Sequence, residues 1–256
     1  MAGRLQDKVV IILGASDERS MGAATARRFR DEGARLVLGA RRLDQLQPIA
    51  EGVGGAAVAC DITKEDDIVR LADAAVAQYG RVDAAINFSG VNSAASVAEV
   101  TRQTLLEACE VHVIGTALFL KHMAARMPNG GSLITTSSLT ALVAPPGLAA
   151  YSGTKKAADQ IVRIAAVEYG PRGIRVNAIA PGFTRSAMTE GYFSIPTLEG
   201  AFRREIPLAR LATVEDVANA ALWLASDESA STTGQVIDVT AGQSLRRTPT
   251  DEELMR

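Results

Sequence analysis

Lys8-Val-Val-Ile-Ile-Leu13 runs into Gly14-Ala-Ser-Asp-Glu-Arg-Ser-Met-Gly22, and a helical pattern follows over residues 23–32. The continuous apolar run predicts a buried strand, and the glycines predict a turn before the helix. Strand, glycine-bearing turn and helix is the layout that brings a pyrophosphate to a helix N-terminus. As a bare glycine motif the pattern is weak, because seven residues separate Gly14 from Gly22 and Ser20 stands where a middle glycine is expected.

Six further short apolar runs alternate with longer helical patterns along the chain. Together with the first run they predict seven strands, at residues 9–13, 35–40, 56–60, 82–87, 131–137, 174–180 and 235–239. Because these runs lack polar alternation and are separated by helices, they predict a parallel sheet covered on both faces. The predicted fold class is therefore α/β: a single doubly wound Rossmann domain over residues 1–256, with a seven-stranded parallel sheet, helices on both faces and ligands at the carboxyl ends of the strands.

The composition fits one domain and disfavours several classes of partner. The 256 residues are 47% apolar, which suits a single large core, and the net charge is −2. Basic and acidic residues are interspersed, so neither nucleic acid nor an anionic membrane is expected as a partner. The sequence shows no secretory signal and no apolar run long enough to span a bilayer, so we expect a cytoplasmic protein. Cys60 and Cys109 match no metal-ligand spacing, and we predict no metal site.

Tyr151-Ser-Gly-Thr-Lys155 carries the residue types for proton transfer. A tyrosine and a lysine four residues apart share one face of a helix, and Ser138 ends an apolar run thirteen positions upstream. A free tyrosine titrates near pH ~10, and a nearby ammonium favours the phenolate and lowers its pKa. A phenol, an ammonium and a hydroxyl that converge on one carbonyl could therefore supply general acid-base catalysis, with Ser138 holding the substrate oxygen.

Several motifs occur together in an order and spacing that resembles the classical short-chain dehydrogenase/reductase family. They are residues 14–22, residues 87–90, Ser138, Tyr151 with Lys155, Asn177, and residues 181–182. The resemblance covers about residues 6–245. It implies a Rossmann fold, a nicotinamide dinucleotide cofactor and the interconversion of a ketone and a secondary alcohol. It also implies that Tyr151 is the general acid or base and that Lys155 reaches both the phenol and the ribose of the cofactor.

The same resemblance implies cofactor contacts at the strand ends and in the segment after the sixth strand. These residues are Gly14, Ser16, Arg19, Ser20, Met21, Gly22, Arg41, Arg42, Asp61, Ile62, Asn87, Ser89, Gly90, Tyr151, Lys155, Pro181, Gly182, Phe183, Thr184 and Ser186. Asp61 resembles the family residue that meets the adenine ring. Ser186 takes the place of the usual threonine and keeps its hydroxyl. For Asn87, a structural role is as plausible as direct contact.

The second strand ends in Leu38-Gly-Ala-Arg41-Arg42, without the acidic residue that would accept hydrogen bonds from a free ribose 2'-hydroxyl. Arg19 adds a third cation near the expected position of a 2'-phosphate, and guanidinium groups suit phosphate. We therefore expect NADP(H) to be favoured over NAD(H). The alternative is that Arg41 and Arg42 are solvated residues at the start of a helix.

Two positions depart from the family pattern. The longer turn, with Ser20 six residues after Gly14, resembles that of divergent enoyl-acyl-carrier-protein reductases. Where family members carry Asn-x-x-Gly, this chain has His112-Val-Ile-Gly115. The family's asparagine is thought to hold a water that relays protons to the lysine. Histidine can bind water and titrates near neutral pH, so we hypothesise that His112 keeps this catalytic relay and makes it pH-dependent. Alternatively, His112 only fills a kinked helix.

Apolar segments predict a hydrophobic substrate pocket. The loop at residues 139–148 carries no charge, and residues 184–211 combine aromatic and apolar residues with arginines, as in a lid. We expect a small apolar ketone or alcohol as substrate, either free or thioester-linked, because residues 207–216 and 233–236 resemble 3-oxoacyl-acyl-carrier-protein reductases. The alternatives are an enoyl-thioester reductase, suggested by the Ser20 turn, and a non-catalytic nucleotide-binding regulator.

Two long helices are predicted at residues 105–127 and 150–169, with apolar residues beyond one stripe. Family members pair such helices across two-fold axes, so the resemblance implies a homotetramer, with a dimer as the alternative. The tail at residues 246–256 is polar and is expected to fray.

Overall fold

The computed structural model describes residues 3–254. Seven strands form one sheet: β1 Val9–Leu13, β2 Arg35–Ala40, β3 Ala56–Ala59, β4 Ala84–Asn87, β5 Gly131–Thr136, β6 Ile174–Pro181 and β7 Val236–Val239. The α-helices are α1 Met21–Asp31, α2 Leu43–Gly52, α3 Glu65–Tyr79, α4 Arg102–Cys109, α5 Gly115–Ala124, α6 Ala149–Tyr169, α7 Leu198–Glu205, α8 Val214–Ala225 and α9 Asp251–Leu254. The predicted fold class is confirmed.

The strands are all parallel and follow the order β3-β2-β1-β4-β5-β6-β7. The order reverses between β1 and β4, which leaves a crevice outside their carboxyl ends. Gly14 follows β1 at this point, and a Cβ on Gly14 would lie 2.9 Å from the Phe88 carbonyl carbon. The glycine turn therefore lies directly against the end of β4.

Side chains of β1 point alternately to the two helical layers, as the period of a strand requires. Val9, Ile11 and Leu13 pack in a core that includes residues of α3, α5 and α6. Val10 and Ile12 pack in a second core with α1, α2 and α8. Because both faces are covered by helices, the strand is apolar throughout, which explains the unalternating runs in the sequence.

The strand predictions are confirmed to within two residues at each end. The long helix predicted over residues 105–127 is found over residues 102–124, where a π-helical turn at Glu110–Ile114 joins α4 to α5. Gly115 follows this turn and lies close to Ile62, where a Cβ would be 2.7 Å from Ile62 Cγ1 and 2.9 Å from Ile62 O. The π-helical turn therefore places His112 beside the site and brings the start of α5 against the loop after β3.

Residues 246–254 of the tail make contacts with α7, and its fraying stays a prediction. Arg247 Nη2 lies 2.8 Å from a Glu205 carboxylate oxygen, and Arg247 Nη1 lies 2.7 Å from Glu253. The Thr197 hydroxyl donates a hydrogen bond to the carbonyl of Leu254. The polar tail thus contacts α7 through one ion pair and a hydrogen bond, while Met255 and Arg256 lie outside the described residues.

Across the described residues, every helix is too short or too polar to cross a lipid bilayer.

Candidate active site

The predicted catalytic residues come together at the carboxyl end of the sheet. Ser138 follows β5 and caps a short 3-10 turn at Leu139–Ala141. Tyr151 and Lys155 lie one turn apart near the start of α6. The Ser138 hydroxyl is close enough to the Tyr151 phenol to lower its pKa, and the Lys155 ammonium lies 5.9 Å from the centre of the Tyr151 ring. A substrate oxygen could therefore meet the hydroxyls of Ser138 and Tyr151 together.

Lys155 is held by the backbone of β5. Its side chain is only 4% exposed, and its ammonium donates a 2.6 Å hydrogen bond to the carbonyl of Thr136. Burial lowers the pKa of Lys155 to about 8, and the carboxylate of Asp159, one turn further along α6, acts in the opposite direction. The ammonium is therefore the main form at neutral pH, and it is lost as the pH rises above about 8.

The pKa of Tyr151 is raised, which corrects the expectation that Lys155 lowers it. Burial of the phenol disfavours its charged form and is the largest cause, while the hydrogen bond from Ser138 acts in the opposite direction. Lys155 points toward Thr136 and does not compensate for the burial. Tyr151 is therefore a neutral phenol at physiological pH, which is the form needed to donate a proton.

The turn between β1 and α1 is built for close approach of a ligand to the backbone. Gly14 has a φ of +98°, a conformation that favours glycine. A Cβ on Gly22 would lie 2.4 Å from the Gly14 carbonyl oxygen, so this position has no room for a side chain. Ser20 caps α1 by accepting a 3.0 Å hydrogen bond from the Ala23 amide. A dinucleotide pyrophosphate fits at this helix N-terminus, with Met21 as the first residue of the helix.

Of the three arginines predicted to select the cofactor, Arg19 lines a cavity of about 400 Å³ at this turn. The Arg42 guanidinium donates a 3.4 Å hydrogen bond to the Ser16 hydroxyl. Arg19 forms long ion pairs with Asp17, at 3.5 Å, and with Glu190 in the predicted lid, at 3.6 Å. Arg41 is exposed at the end of β2. Sequence reasoning missed Gln45 and Pro48, which also line the cavity.

Asn87 and Asp61 are used mainly by the protein itself. The Asn87 carboxamide accepts a 2.9 Å hydrogen bond from the Ser89 amide and shapes the turn that leads to Gly90. The Asp61 carboxylate accepts hydrogen bonds of 3.1 Å and 2.8 Å from the amide and hydroxyl of Thr63. Their proposed contacts with a cofactor remain predictions.

The segment after β6 carries the residues predicted for the nicotinamide end. Pro181 is the last residue of β6, and a Cβ on Gly182 would lie 3.0 Å from Thr240 Cα. Thr184 donates a 3.0 Å hydrogen bond to the Gly182 carbonyl, which fixes the turn. The Ser186 hydroxyl lies 3.2 Å from Thr189 Oγ1. These contacts fix the backbone at the edge of the site without occupying the crevice.

Phe183 belongs to an aromatic cluster in the predicted lid. Its ring stacks on Phe202, with ring centroids 4.1 Å apart, and on Phe193 at 5.2 Å. It also meets Tyr192 edge-on at 6.3 Å. Tyr192 reaches across the opening, where its hydroxyl accepts a 3.1 Å hydrogen bond from the Asn92 carboxamide. The ring of Phe183 therefore packs against the predicted lid. Because the ring is used in this packing, the predicted contact with the cofactor would come from the Phe183 backbone.

His112 has both ring nitrogens occupied by protein groups. Nε2 accepts a 3.1 Å hydrogen bond from the Val91 amide, so Nδ1 carries the proton and donates to Thr154 Oγ1 at 2.9 Å. The Thr154 hydroxyl in turn donates to the Ala150 carbonyl at 2.8 Å. Burial, together with the charge of Lys155, lowers the pKa of His112 to about 3. The expectation that His112 titrates near neutral pH is therefore wrong, and its role in a proton relay remains a prediction.

A consequence for stability follows from this neutral ring. Below about pH 6.5 the unfolded chain protonates His112, but the folded chain does not until about pH 3. The free energy of unfolding should therefore fall with acid, by about 1.4 kcal/mol per pH unit from this residue. Urea unfolding of the wild type should lose about 2 kcal/mol more between pH 6.5 and 4.5 than that of the His112→Asn variant. Equal losses would contradict the assignment of a neutral ring.

The structure also brings in residues that sequence reasoning missed. Thr140 contacts Ser138, Thr154 contacts His112, and Asp159 lies behind Lys155. Each lies within four residues of a predicted site residue, but position alone does not indicate which neighbours point inward. Among residues 3–254, His, Cys, Asp and Glu form no cluster of three or more that could bind a metal ion.

The fold and the site together define an oxidoreductase that uses a nicotinamide dinucleotide to act on a CH–OH or C=O group. A family model described as enoyl-(acyl carrier protein) reductase matches residues 14–244. The A-factor type gamma-butyrolactone 1'-reductase of Streptomyces virginiae is 36% identical over 250 residues, which cover 94% of this chain and 96% of that protein.

Two further comparisons agree. The 3-oxoacyl-acyl-carrier-protein reductase of Thermotoga maritima is 34% identical over 250 residues, covering 93% of this chain and 98% of that protein. The structure of a short-chain type dehydrogenase/reductase from Mycobacterium ulcerans has a TM-score of 0.91 at 31% identity, covering 95% of this chain and 92% of that chain. The chain belongs to the short-chain dehydrogenase/reductase family.

Proposed function

We propose that the protein is an NADPH-dependent carbonyl reductase that converts a ketone or 3-oxoacyl group into a secondary alcohol. The observation that carries this proposal is a neutral Tyr151 phenol that lies beside Ser138 and 5.9 Å, at its ring centre, from the buried Lys155 ammonium. A neutral phenol suits a proton donor, which is the role that carbonyl reduction requires.

Each of the three residues has a distinct task. Ser138 donates a hydrogen bond to the carbonyl oxygen and holds it beside Tyr151. When bound, the reduced nicotinamide supplies the hydride that adds to the carbonyl carbon. Tyr151 transfers its proton to the oxygen as negative charge develops there, and the Lys155 ammonium stabilises the resulting phenolate. His112 holds the Val91 amide by a hydrogen bond, and the Thr136 carbonyl holds the Lys155 ammonium.

Three arginines support the preference for NADPH over NADH. The Arg42 guanidinium reaches Ser16 in the glycine turn, and Arg41 lies exposed just after the end of β2. The ion pairs of Arg19 with Asp17 and Glu190 are long and largely exposed, so a phosphate could replace them at low cost. The absence of an acidic residue at positions 39–42 removes the usual partner of a free 2'-hydroxyl.

We expect the preference for NADPH over NADH to depend on Arg42. Replacing Arg42 with alanine should raise the KM for NADPH about tenfold, which corresponds to ~1.4 kcal/mol, and leave the KM for NADH nearly unchanged. Arg30→Ala is a matched control, because Arg30 lies at the far end of α1 and binds Asp31. Steady-state kinetics with NADPH and with NADH measure both KM values in the wild type and in each variant. A preference of the wild type for NADH by about tenfold or more would overturn the proposal.

The aromatic lid supports a small apolar ketone or alcohol, either free or thioester-linked, as the substrate. Phe183, Phe193 and Phe202 stack together, and Tyr192 closes onto Asn92 at the mouth of the site. The two reductases compared above are named for a butyrolactone and for 3-oxoacyl groups, which supports reduction of a carbonyl next to an ester or thioester.

An enoyl-thioester reductase is the second candidate. The matching family model carries that description, and the turn before Gly22 is longer than in most classical members. This reaction would reduce a carbon–carbon double bond and leave the thioester carbonyl intact. Against it stands the close spacing of Tyr151 and Lys155, since the divergent enoyl reductases place these residues further apart.

Oxidation of NADPH and of NADH should be followed with acetoacetyl-coenzyme A, a cyclohexanedione, acetophenone and crotonyl-coenzyme A. Consumption of NADPH with one of the ketones, together with the matching alcohol product, is the expected result. Turnover of crotonyl-coenzyme A alone would favour the enoyl reductase. Tight binding of NADPH without turnover of any compound would favour a nucleotide-binding regulator.

A homotetramer is also part of the proposal. Ile164 and Val167 on α6 are 50% and 78% exposed, and Leu105 and Leu106 on α4 are partly exposed as well. Apolar side chains on two neighbouring helices suit a two-fold interface between copies of the chain. Sedimentation that shows a stable monomer at micromolar concentration would contradict it. A cytoplasmic location is supported by the two free thiols, Cys60 and Cys109.

A further inference from the structure

The hydroxyl of Ser138 receives two hydrogen bonds from one neighbouring residue. Thr140 donates its backbone amide to Ser138 Oγ at 3.2 Å, and its side-chain hydroxyl donates to the same oxygen at 3.1 Å. Ser138 has an extended backbone at the end of β5 and caps the 3-10 turn that contains Thr140. The two residues are therefore held together by the local fold.

This arrangement limits what the Ser138 hydroxyl can do. A serine hydroxyl has one hydrogen to donate and two lone pairs that accept. Because Thr140 occupies both lone pairs, the only remaining function of Ser138 is to donate its hydrogen. The hydrogen bond from Ser138 lowers the pKa of Tyr151, as a donor to the phenol oxygen would.

We propose that Thr140 is a positioning residue that fixes Ser138 as a hydrogen-bond donor, directed at the Tyr151 phenol in the free enzyme and at the carbonyl oxygen once substrate is bound. This inference rests on the proposed carbonyl reduction. Without the Thr140 hydroxyl, one lone pair of Ser138 is free to accept a hydrogen bond from the Tyr151 phenol. That bond would direct the phenol's proton to Ser138 and away from the carbonyl oxygen. Hydrogen bonds in a chain also polarise one another, so Thr140 makes Ser138 a stronger donor.

The variant Thr140→Val keeps the shape of the side chain and removes its hydroxyl, while Thr140→Ser keeps the hydroxyl. With NADPH and the best ketone of the panel above, Thr140→Val should lower kcat on the order of tenfold and change KM by less than about twofold. Thr140→Ser should restore most of the loss. An unchanged kcat in Thr140→Val, or an equal loss in Thr140→Ser, would overturn the proposal.

A double-mutant cycle separates positioning from general damage to the loop. In a Ser138→Ala background, Thr140→Val should have little further effect on kcat, because the group that it positions is gone. A loss of the same size in both backgrounds would mean that Thr140 acts on structure alone and would overturn the proposal.

A measurement without cofactor or substrate keeps this test independent of the proposed function. The absorbance of tyrosinate can be followed with rising pH, and Tyr151→Phe in each background identifies the Tyr151 signal. Thr140→Val should move the Tyr151 transition to higher pH, since a weaker bond from Ser138 stabilises the phenolate less. An unmoved transition would contradict the role of Thr140, whereas an absence of turnover on every ketone would contradict only the carbonyl reductase.

Discussion

The Tyr151→Phe variant is expected to lose carbonyl reduction by roughly 10³-fold in kcat, because the hydroxyl that protonates the substrate oxygen is gone. The ring itself remains, so its edge-on contact with His112, with centroids 5.3 Å apart, should persist. Cofactor binding and thermal stability should therefore change little. The measurement is kcat for NADPH-dependent reduction, together with the melting temperature of each protein.

Tyr79→Phe provides the matched control for this variant. The Tyr79 hydroxyl accepts a 3.0 Å hydrogen bond from the Gln78 carboxamide. Tyr79 ends α3 just before the chain enters β4, whereas the crevice lies at the other end of β4. Its loss should leave kcat unchanged. If Tyr151→Phe retained most of the wild-type kcat, Tyr151 would not be the proton donor and the proposed mechanism would be wrong.

The Gly22→Ala variant is expected to weaken NADPH binding by about tenfold or more, in line with ~1–3 kcal/mol for overpacking. Its Cβ would lie 2.4 Å from the Gly14 carbonyl oxygen and 2.9 Å from Ala15 Cα. Both are backbone atoms, so the turn itself must move to make room. The amides at the start of α1 would then no longer be aligned for the pyrophosphate. Titration of the NADPH fluorescence measures the affinity directly.

Gly52→Ala is the control for a glycine-to-alanine change. At Gly52, in the last turn of α2, an added Cβ meets no other described atom within 4 Å. The affinity for NADPH should stay at the wild-type value, and stability should be unchanged or slightly higher. Wild-type affinity in Gly22→Ala would show that the tight turn is not the pyrophosphate site.

The sequence alone predicts the sheet and the central site residues for physical reasons that act locally. Val9–Leu13 is apolar at every position, and only a strand with helices on both faces requires this. Tyr151 and Lys155 share a helix face because of their spacing, and Ser138 follows β5 with one residue between them. These features depend on chain periodicity, so they can be read without knowing the tertiary structure.

Other features depend on contacts between distant segments. The π-helical turn at His112 is matched to the Val91 amide and to Thr154, neither of which is close to it in sequence. The pKa of Tyr151 depends on how much water the surrounding elements exclude. The spacing of Tyr151 and Lys155 predicts a lowered pKa, whereas burial raises it. The tail at residues 246–254 is polar, but Glu205 and Thr197 supply partners that the sequence pattern does not indicate.

The ion pair between Arg19 and Glu190 connects the glycine turn with the predicted lid, since the two residues belong to these two segments. An anion that draws Arg19 toward itself must loosen this contact, and loosening the contact makes Arg19 more available to the anion. Thermodynamic reciprocity requires the two effects to be equal in size. The lid should therefore close less firmly when a phosphate occupies Arg19, and added salt, which screens exposed charges, should weaken this coupling. Entry of the substrate and occupancy of the nucleotide site would then be linked through the affinity that each has in the presence of the other.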